Sequence, residues 1–393
     1  MRVCPLSEVV SGMVLAKSIF NENGQLLLRA GYQLTPDVLG HLTSLGPTAV
    51  YILEAGTEEI VPIEVISEEA RARATQAFHH TMDTVSAALV PHKDVPPKKL
   101  WQMVKRNPQF RNLVDADRVM TEMASIVDEI MDSNTQFLDQ LLIKSRNAYH
   151  TQHAVDTALV ALLIGRKFQY RRADLVELGT GAFLHDLGKV ALPTLIDRAE
   201  SEMTDDERMI YREHPVLGQQ LLCNSTDRFF MAQTAILHHH ERQDGMGYPQ
   251  GLMGSNAPPN LNGRDATRFI FPFAEIIAVA NTYDNLISHK NQHALSPEQA
   301  VSELVRQAES AFNTAVVKTL SEVISIFPTG AIVQVVECAN RFLVGSAGVI
   351  MKSNPEKPHQ PILVVIRNPK GAKVTPKTVD LSHETHARLE MVT

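Results

Sequence analysis

Apolar residues change their spacing several times along the chain, and each change predicts a different kind of element. In the first sixty residues two short apolar runs, VLAKSIF and QLLL, flank NENG, where Asn23-Gly24 suits a tight hairpin turn. Thr35, Pro36 and Asp37 mark a helix start that runs to about Leu45 and closes at Gly46, and AVYI follows as a returning strand. From about Ile66 to Ser145 the pattern is helical, interrupted by PHKDVPPKK at 91–99. Within it, Met120 to Ile143 repeats apolar residues at three- and four-residue spacing, as one or two packed helices do. Residues 153–327 are mainly helical, with capping boxes at Thr204/Glu207 and Ser296/Gln299. Beyond Pro328 the runs AIVQVVE, FLVGSAGVIM and PILVVIRN are β-like and separated by polar turns. The expected architecture is mainly α. A small N-terminal α+β domain (1–62) leads through a helical linker region (63–145) into a helical bundle (146–330), and a small C-terminal β subdomain (331–393) closes the chain.

Composition narrows the classes without choosing a function. The 393 residues, 44% hydrophobic and 21% charged, exclude wholesale disorder and collagen-like repetition and suffice for two or three packed domains. Lys+Arg 37 against Asp+Glu 44 gives a net charge of −7, which argues against a nucleic-acid polymer as partner. A small anionic ligand still responds to the local field of a site. Cys4, Cys223 and Cys338 define neither a disulfide framework nor a cysteine zinc site, and point to a reducing cytoplasm. The start lacks the apolar core of a signal peptide, and no run of about 18 apolar residues occurs, so no membrane insertion is expected. The figure that changes the picture is 16 histidines.

Four clusters carry them at informative positions: His153 in YHTQHAVDTALVAL, His185-Asp186 in FLHDLGKV, His214 in YREHPVLG, and His239-His240 in ILHHHERQDGMGYPQGL. Each cluster ends or begins an apolar helical pattern, where helices converge. Imidazole with carboxylate suits Fe, Mn, Zn or Ni. Asp186 is the strong candidate for a bridging carboxylate, because each of its oxygens can face one cation. Two metals about 3.5–4 Å apart activate water and clamp a phosphoryl group, which is phosphodiester hydrolysis. Bland readings stand beside this one. A lone histidine at a helix end is more often a surface or hydrogen-bonded core residue, the reading preferred for His150 and His238. Neighbouring helix positions lie about 100° apart, so His238, His239 and His240 cannot all face one site. The methionines between 120 and 143 read as core filler.

HDLGK followed by HHERQDGMGYPQGL resembles the HD-GYP family of bacterial cyclic di-GMP phosphodiesterases, a branch of the HD metal-dependent phosphohydrolases. The likeness covers about residues 145–330, and the first sixty residues resemble the domain that often precedes HD-GYP. The resemblance implies a helical HD-domain bundle that hydrolyses cyclic di-GMP to pGpG or GMP through a hydroxide activated by two divalent metals, Fe or Mn, with Zn and Ni also compatible. By position His153, His185, Asp186, His214, His239 and His240 match the family's metal ligands, and Asn281 occupies a further ligand position. Lys189 matches the lysine of HDxGK, a point charge suited to a phosphate oxygen. Asp186 and Lys189 are the catalytic candidates; Lys189, Tyr248 and Lys290 are the substrate-binding ones. Gly247-Tyr248-Pro249 matches the signature loop, whose tyrosine either contacts a ligand or partner or serves only to shape the fold. Arg242 reads as a surface arginine. The GYP face is open to a protein partner such as a GGDEF-domain protein, and a homodimer is open too.

The chain departs from the family pattern at three places. VANTYDNL carries Asn281 where the family has a ligating Asp; an amide oxygen coordinates without bringing charge, so the cation it holds is less neutralised and more weakly bound. Asp284, three positions along, matches the family's second Asp and is not a substitute. Lys290, in SHKNQHALSP, stands for an arginine and loses its bidentate fork. Tyr149 stands four residues before the first His, where trimetallic members carry Glu, so two metals are expected. Two function classes follow: a working phosphodiesterase of reduced activity, or a degenerate member that binds cyclic di-GMP or a partner without turnover. The retained ligands and Lys189 favour the enzyme; Asn281 and Lys290 favour the binder. An HD nucleotidase is disfavoured by the GYP segment.

Overall fold

Short apolar runs broken by glycine and asparagine give the N-terminal unit its small sheets. The computed structural model describes residues 1–393 except 22, 46, 93–94, 134–136, 140–142, 146–147, 227, 262–266, 289–293 and 393. Strands β1 (Arg2–Pro5) and β2 (Val14–Leu15) both pair antiparallel with β5 (Ala49–Leu53). Between them β3 (Ile19–Phe20) and β4 (Leu26–Leu28) form the hairpin that NENG predicts. Helix α1 (Pro36–Leu45) starts after Thr35, whose hydroxyl accepts from the Val38 N–H at 3.4 Å; its expected closure at Gly46 lies outside the described residues. Cys4, Leu15, Leu34, Leu42, Val50 and Ile52 form the unit's own core.

The helical part begins at α2 (Glu68–Leu89) and continues through α3 (Pro97–Arg106) and α4 (Ala116–Asp132). Ser67 caps α2 by accepting from the Ala70 N–H at 3.1 Å, while its own N–H and hydroxyl donate to Glu129 of α4 at 2.6 and 3.0 Å. Helix α5 (Tyr149–Lys167) is buried on every side from His153 to Gly165, as a run apolar all round must be, and is the central helix. The bundle continues through α6 (Arg172–Leu184), α7 (Asp205–Tyr211), α8 (His214–Cys223), α9 (Phe230–His238), α10 (Pro272–Ile287), α11 (Pro297–Arg306) and α12 (Thr314–Val323). Both capping boxes form, at Thr204 and at Ser296. One continuous apolar core runs from Val65 to Ile324 and takes in the buried residues of α2, α3 and α4. Phe78 of α2 meets Phe183 of α6 edge-on at 5.2 Å, and burying each ring contributes about 1.5–3 kcal/mol.

The C-terminal strands β6 (Ile332–Cys338), β7 (Ala347–Lys352), β8 (Ile362–Arg367), β9 (Lys373–Asp380) and β10 (Ala387–Met391) form one antiparallel sheet in the order β10-β6-β7-β8-β9. The run FLVGSAGVIM is only half a strand. Its first part turns, with the Leu343 N–H donating to the Asn340 carbonyl, and Phe342 is left 92% exposed. Strands β9 and β10 escape the apolar pattern. KVTPKTVD is an edge strand exposed along most of its length, and an edge tolerates Pro376. Among the described residues no helix is long and apolar enough to cross a membrane.

Candidate metal centre

Four helix ends converge on one point. His153 lies in the second turn of α5, His185 and Asp186 directly follow α6, His214 opens α8, and His239 and His240 follow α9. Two glycines permit this. A Cβ on Gly188 would stand 1.9 Å from the His214 carbonyl oxygen and 2.7 Å from the Gly218 nitrogen, so only glycine lets the HDLGK loop lie against the start of α8. A Cβ on Gly247 would stand 2.5 Å from the Arg242 nitrogen, so only glycine lets the GYP loop fold back over residues 240–242. Buried Glu241 fastens that loop by accepting from the N–H groups of Gln250 and Leu252 at 2.7 and 2.8 Å. Tyr248 then stacks on His240, with 4.6 Å between ring centres and 15° between planes.

The rings share one orientation. His185, His214 and His239 each turn Nδ1 toward the carbonyl three residues earlier, those of Ala182, Tyr211 and Ile236, at 2.7, 2.8 and 2.7 Å. His153 turns Nδ1 toward Asp284 Oδ2 at 2.6 Å. An Nδ1–H donating outward leaves Nε2 as a lone pair pointing inward. The inward atoms face each other: Nε2 of His153 and His185 stand 3.3 Å apart, as do those of His214 and His239. Asp186 divides the two pairs. Its Oδ2 lies 3.4 and 3.8 Å from the Nε2 atoms of His185 and His153, and its Oδ1 lies 3.5 and 3.8 Å from those of His214 and His239.

Burial favours the uncharged form of four of these rings, while the carboxylate stays charged. Burial pushes His153, His214, His239 and His240 down, His214 to about 3. Burial alone would raise Asp186, yet His185 and Lys189 outweigh it and hold the carboxyl well below its usual range. Lys189 Nζ sits 2.5 Å from Asp186 Oδ2 and 5.2 Å from the centre of the Tyr211 ring; burial opposes its charge, and Asp186 holds it raised. The Arg212 guanidinium lies 5.0 Å over the Tyr248 ring.

Other residues singled out in the sequence make hydrogen bonds, stacks and ion pairs of their own. Asn281 is buried on α10, its Oδ1 accepting from the Asn285 side chain at 2.6 Å; the Asn285 Oδ1 accepts in turn from the Tyr149 hydroxyl at 2.7 Å. The Tyr149 ring stacks on His153 at 5.7 Å and 7°. His150 pairs with Asp197 at 2.7 Å, buried His238 accepts from the Phe271 N–H at 3.4 Å, and Arg242 pairs with Asp244 at 2.6 Å. Lys290 lies outside the described residues. Sequence reasoning missed Tyr211 and Arg212, although both stand in the quoted YREHPVLG, and gave Glu241 no role. Tyr211 meets Lys189 of the HDLGK loop, Arg212 meets Tyr248 of the GYP loop, and Glu241 ties that loop together, contacts that only the folded chain brings about.

The donor set fits divalent cations. Neutral imidazoles with facing Nε2 lone pairs repel unless something positive lies between them, and buried Asp186 Oδ1 and His240 Nε2 have no hydrogen-bond partner. Two groups of donor atoms share Asp186: His153 and His185 with it on one side, and His214, His239 and His240 with it on the other, the atoms of each group within 4.8 Å of one another. A family model described as HD domain matches residues 119–316. The chain is similar to a cyclic di-GMP phosphodiesterase of Pseudomonas aeruginosa, 28% identical over 252 residues that cover 62% of this chain and 56% of that protein. It is similar to the cyclic di-GMP phosphodiesterase response regulator RpfG of Xanthomonas campestris, 32% identical over 163 residues, 41% of this chain and 40% of the relative. It is also similar to the cyclic di-GMP phosphodiesterase PdeB of Borreliella burgdorferi, 27% identical over 223 residues, 56% of this chain and 54% of the relative. The chain spans about half the length of the curated relatives it matches. On the matched segment, the shared aspartate and the HDLGK and GYP loops around it, the chain belongs to the HD domain family, in its HD-GYP branch.

Proposed function

We propose that the protein is a phosphodiesterase that hydrolyses cyclic di-GMP to pGpG or GMP with two divalent cations, Fe or Mn, bound between residues 146 and 330. The observation that carries this reading is Asp186, whose two oxygens face two separate histidine pairs. His153 and His185 would hold one cation and His214, His239 and His240 the other, with Asp186 common to both. When bound, such a pair supplies Lewis acidity and lowers the pKa of water beside a phosphodiester. Lys189, charged and 13% exposed, meets a phosphate oxygen as a point charge. Tyr248, stacked on His240 and covered by Arg212, places an aromatic ring with a cation beside the same histidines. The free thiols of Cys4, Cys223 and Cys338 suit a reducing cytoplasm.

A second reading, a cyclic di-GMP binder without turnover, is favoured by one observation: Tyr149, Asn285 and Asn281 form a neutral hydrogen-bonded chain where added negative charge would strengthen cation binding. Anaerobic purification with iron or manganese, elemental analysis, and a cyclic di-GMP hydrolysis assay with product identification separate the two. The enzyme reading expects two metals per chain and turnover that Asp186→Ala reduces to background along with metal content. Tight nucleotide binding by the fully loaded protein without product identifies the binder, and full turnover in Asp186→Ala overturns the two-metal site.

A further inference from the structure

Behind His153 lies a buried chain of charges that none of the roles above uses. Lys144 is buried, and its Nζ donates to Asp156 Oδ2 at 2.8 Å and to Asp284 Oδ1 at 2.5 Å. The other oxygen of Asp284 holds His153 Nδ1, and the other oxygen of Asp156 accepts from the Arg71 guanidinium at 2.5 Å. Two cations and two anions alternate, so the chain is neutral as a whole. Its outer end, Arg71 on α2, lies outside the segment matched by the family model and faces a cleft of about 420 Å³ against the N-terminal unit, lined in part by Lys17, Ile19 and Tyr51. Burial alone would lower the Lys144 pKa, but Asp156 and Asp284 outweigh it and keep the ammonium charged.

Resting on the metal reading above, we propose that Lys144 is a positioning residue of the metal centre, fixing Asp284 so that its second oxygen holds His153 with Nε2 toward Asp186. The reasoning is geometric. Asp284 is fully buried, and a carboxylate with one oxygen left unpinned does not keep one orientation. A ring nitrogen anchored by a carboxylate has its tautomer and direction set by that anchor, and such supporting groups change metal affinity by about 10- to 100-fold when removed. Asp156 and Arg71 act one step further out by balancing the lysine.

The test is a cobalt(II) titration of the metal-free full chain, followed by the ligand-field absorption of the bound ion and by stoichiometry, with a thermal melt of each variant. Lys144→Met should weaken one of the two cobalt sites about 10- to 100-fold and alter its absorption, leaving the other site as in wild type. Lys144→Arg should restore much of the lost affinity. The double variant Lys144→Met/Asp156→Asn again balances charge, Arg71 against Asp284. It should recover melting temperature without recovering the weakened site, which a merely structural lysine does not predict. Should Lys144→Met not fold, the double variant carries the test. Recovery of cobalt affinity in step with melting temperature overturns the positioning role. Wild type that binds two cobalt ions while every variant matches it overturns the inference alone, whereas wild type that binds none overturns the metal reading itself.

Discussion

The two sides of the metal centre are held in different ways. On the side of His214, His239 and His240, two ring orientations are set by carbonyls of the same chain segment, three residues back, and the third ring is packed beneath Tyr248. On the side of His153 and His185, His185 follows the same rule, but His153 takes its direction from Asp284, 131 residues away in sequence. A backbone carbonyl cannot be changed by substitution and follows from the helix end itself. A side-chain anchor can be lost, and itself needs support from Lys144. The departures from the family pattern that lie within the described residues, Asn281 and Tyr149, are tied to the side that depends on side chains.

The harshest way to break the comparison is Gly188→Ala. The added methyl meets backbone atoms of His214 and Gly218 that cannot give way, so α8 must move off the HDLGK loop. Overpacking of this kind costs about 1–3 kcal/mol or more, and the displacement parts Asp186 from His214. A lowered melting temperature should accompany loss of the metal held by His214, His239 and His240, read by titration. Unchanged stability and two bound metals would show that the loop has room the close contact denies.

Acid should separate the two sides more gently. In the metal-free protein the imidazoles of His153, His214, His239 and His240 stay neutral below the ordinary histidine pKa of 6.5, His214 down to about 3, while the unfolded chain takes up protons from 6.5 downward. The unfolded state therefore binds more protons in this window. Stability is fully present above 6.5 and is lost as pH falls toward 3. His153 differs because Asp284 partly offsets the effect of burial, while His239 and His240 lie well below their usual value. Histidine titration followed by NMR should find His153 protonating before His239 and His240; simultaneous protonation would erase the proposed difference between the sides.

That asymmetry also explains what was legible in the sequence. Ligands at helix ends are announced locally: an apolar period stops, and a histidine stands where it stops. HDLGK and GYP add glycines whose need for space is visible in the structure at Gly188 and Gly247. Lys144 announces nothing. It follows an apolar run, and its meaning lies in carboxylates 12 and 140 residues further on. Strand β9 was invisible for a related reason: an edge strand exposed on most positions carries no alternation to read. The turn at Phe342 misled because an apolar residue on an exposed loop resembles the start of the buried strand behind it.

The smallest effect expected is the most discriminating, because it changes sign. Asn281 accepts a hydrogen bond from Asn285, so Asn281→Asp keeps an acceptor in place and adds one buried negative charge to α10, one turn before Asp284. Without metal that charge has the Asn285 amide but no counter-charge, and burying it costs on the order of 1–3 kcal/mol, so the melting temperature of the metal-free variant should fall. With metal the same charge attracts the cation on the His153 side, so affinity there should rise several-fold and the loaded variant should melt at or above wild type. A fall in both states would mean that the carboxylate is buried away from the cation, and a rise in both would mean that Asn281 was never in a charge-poor place. Only opposite signs fit a side of the centre that lacks negative charge and still holds its metal through His153, His185 and Asp186.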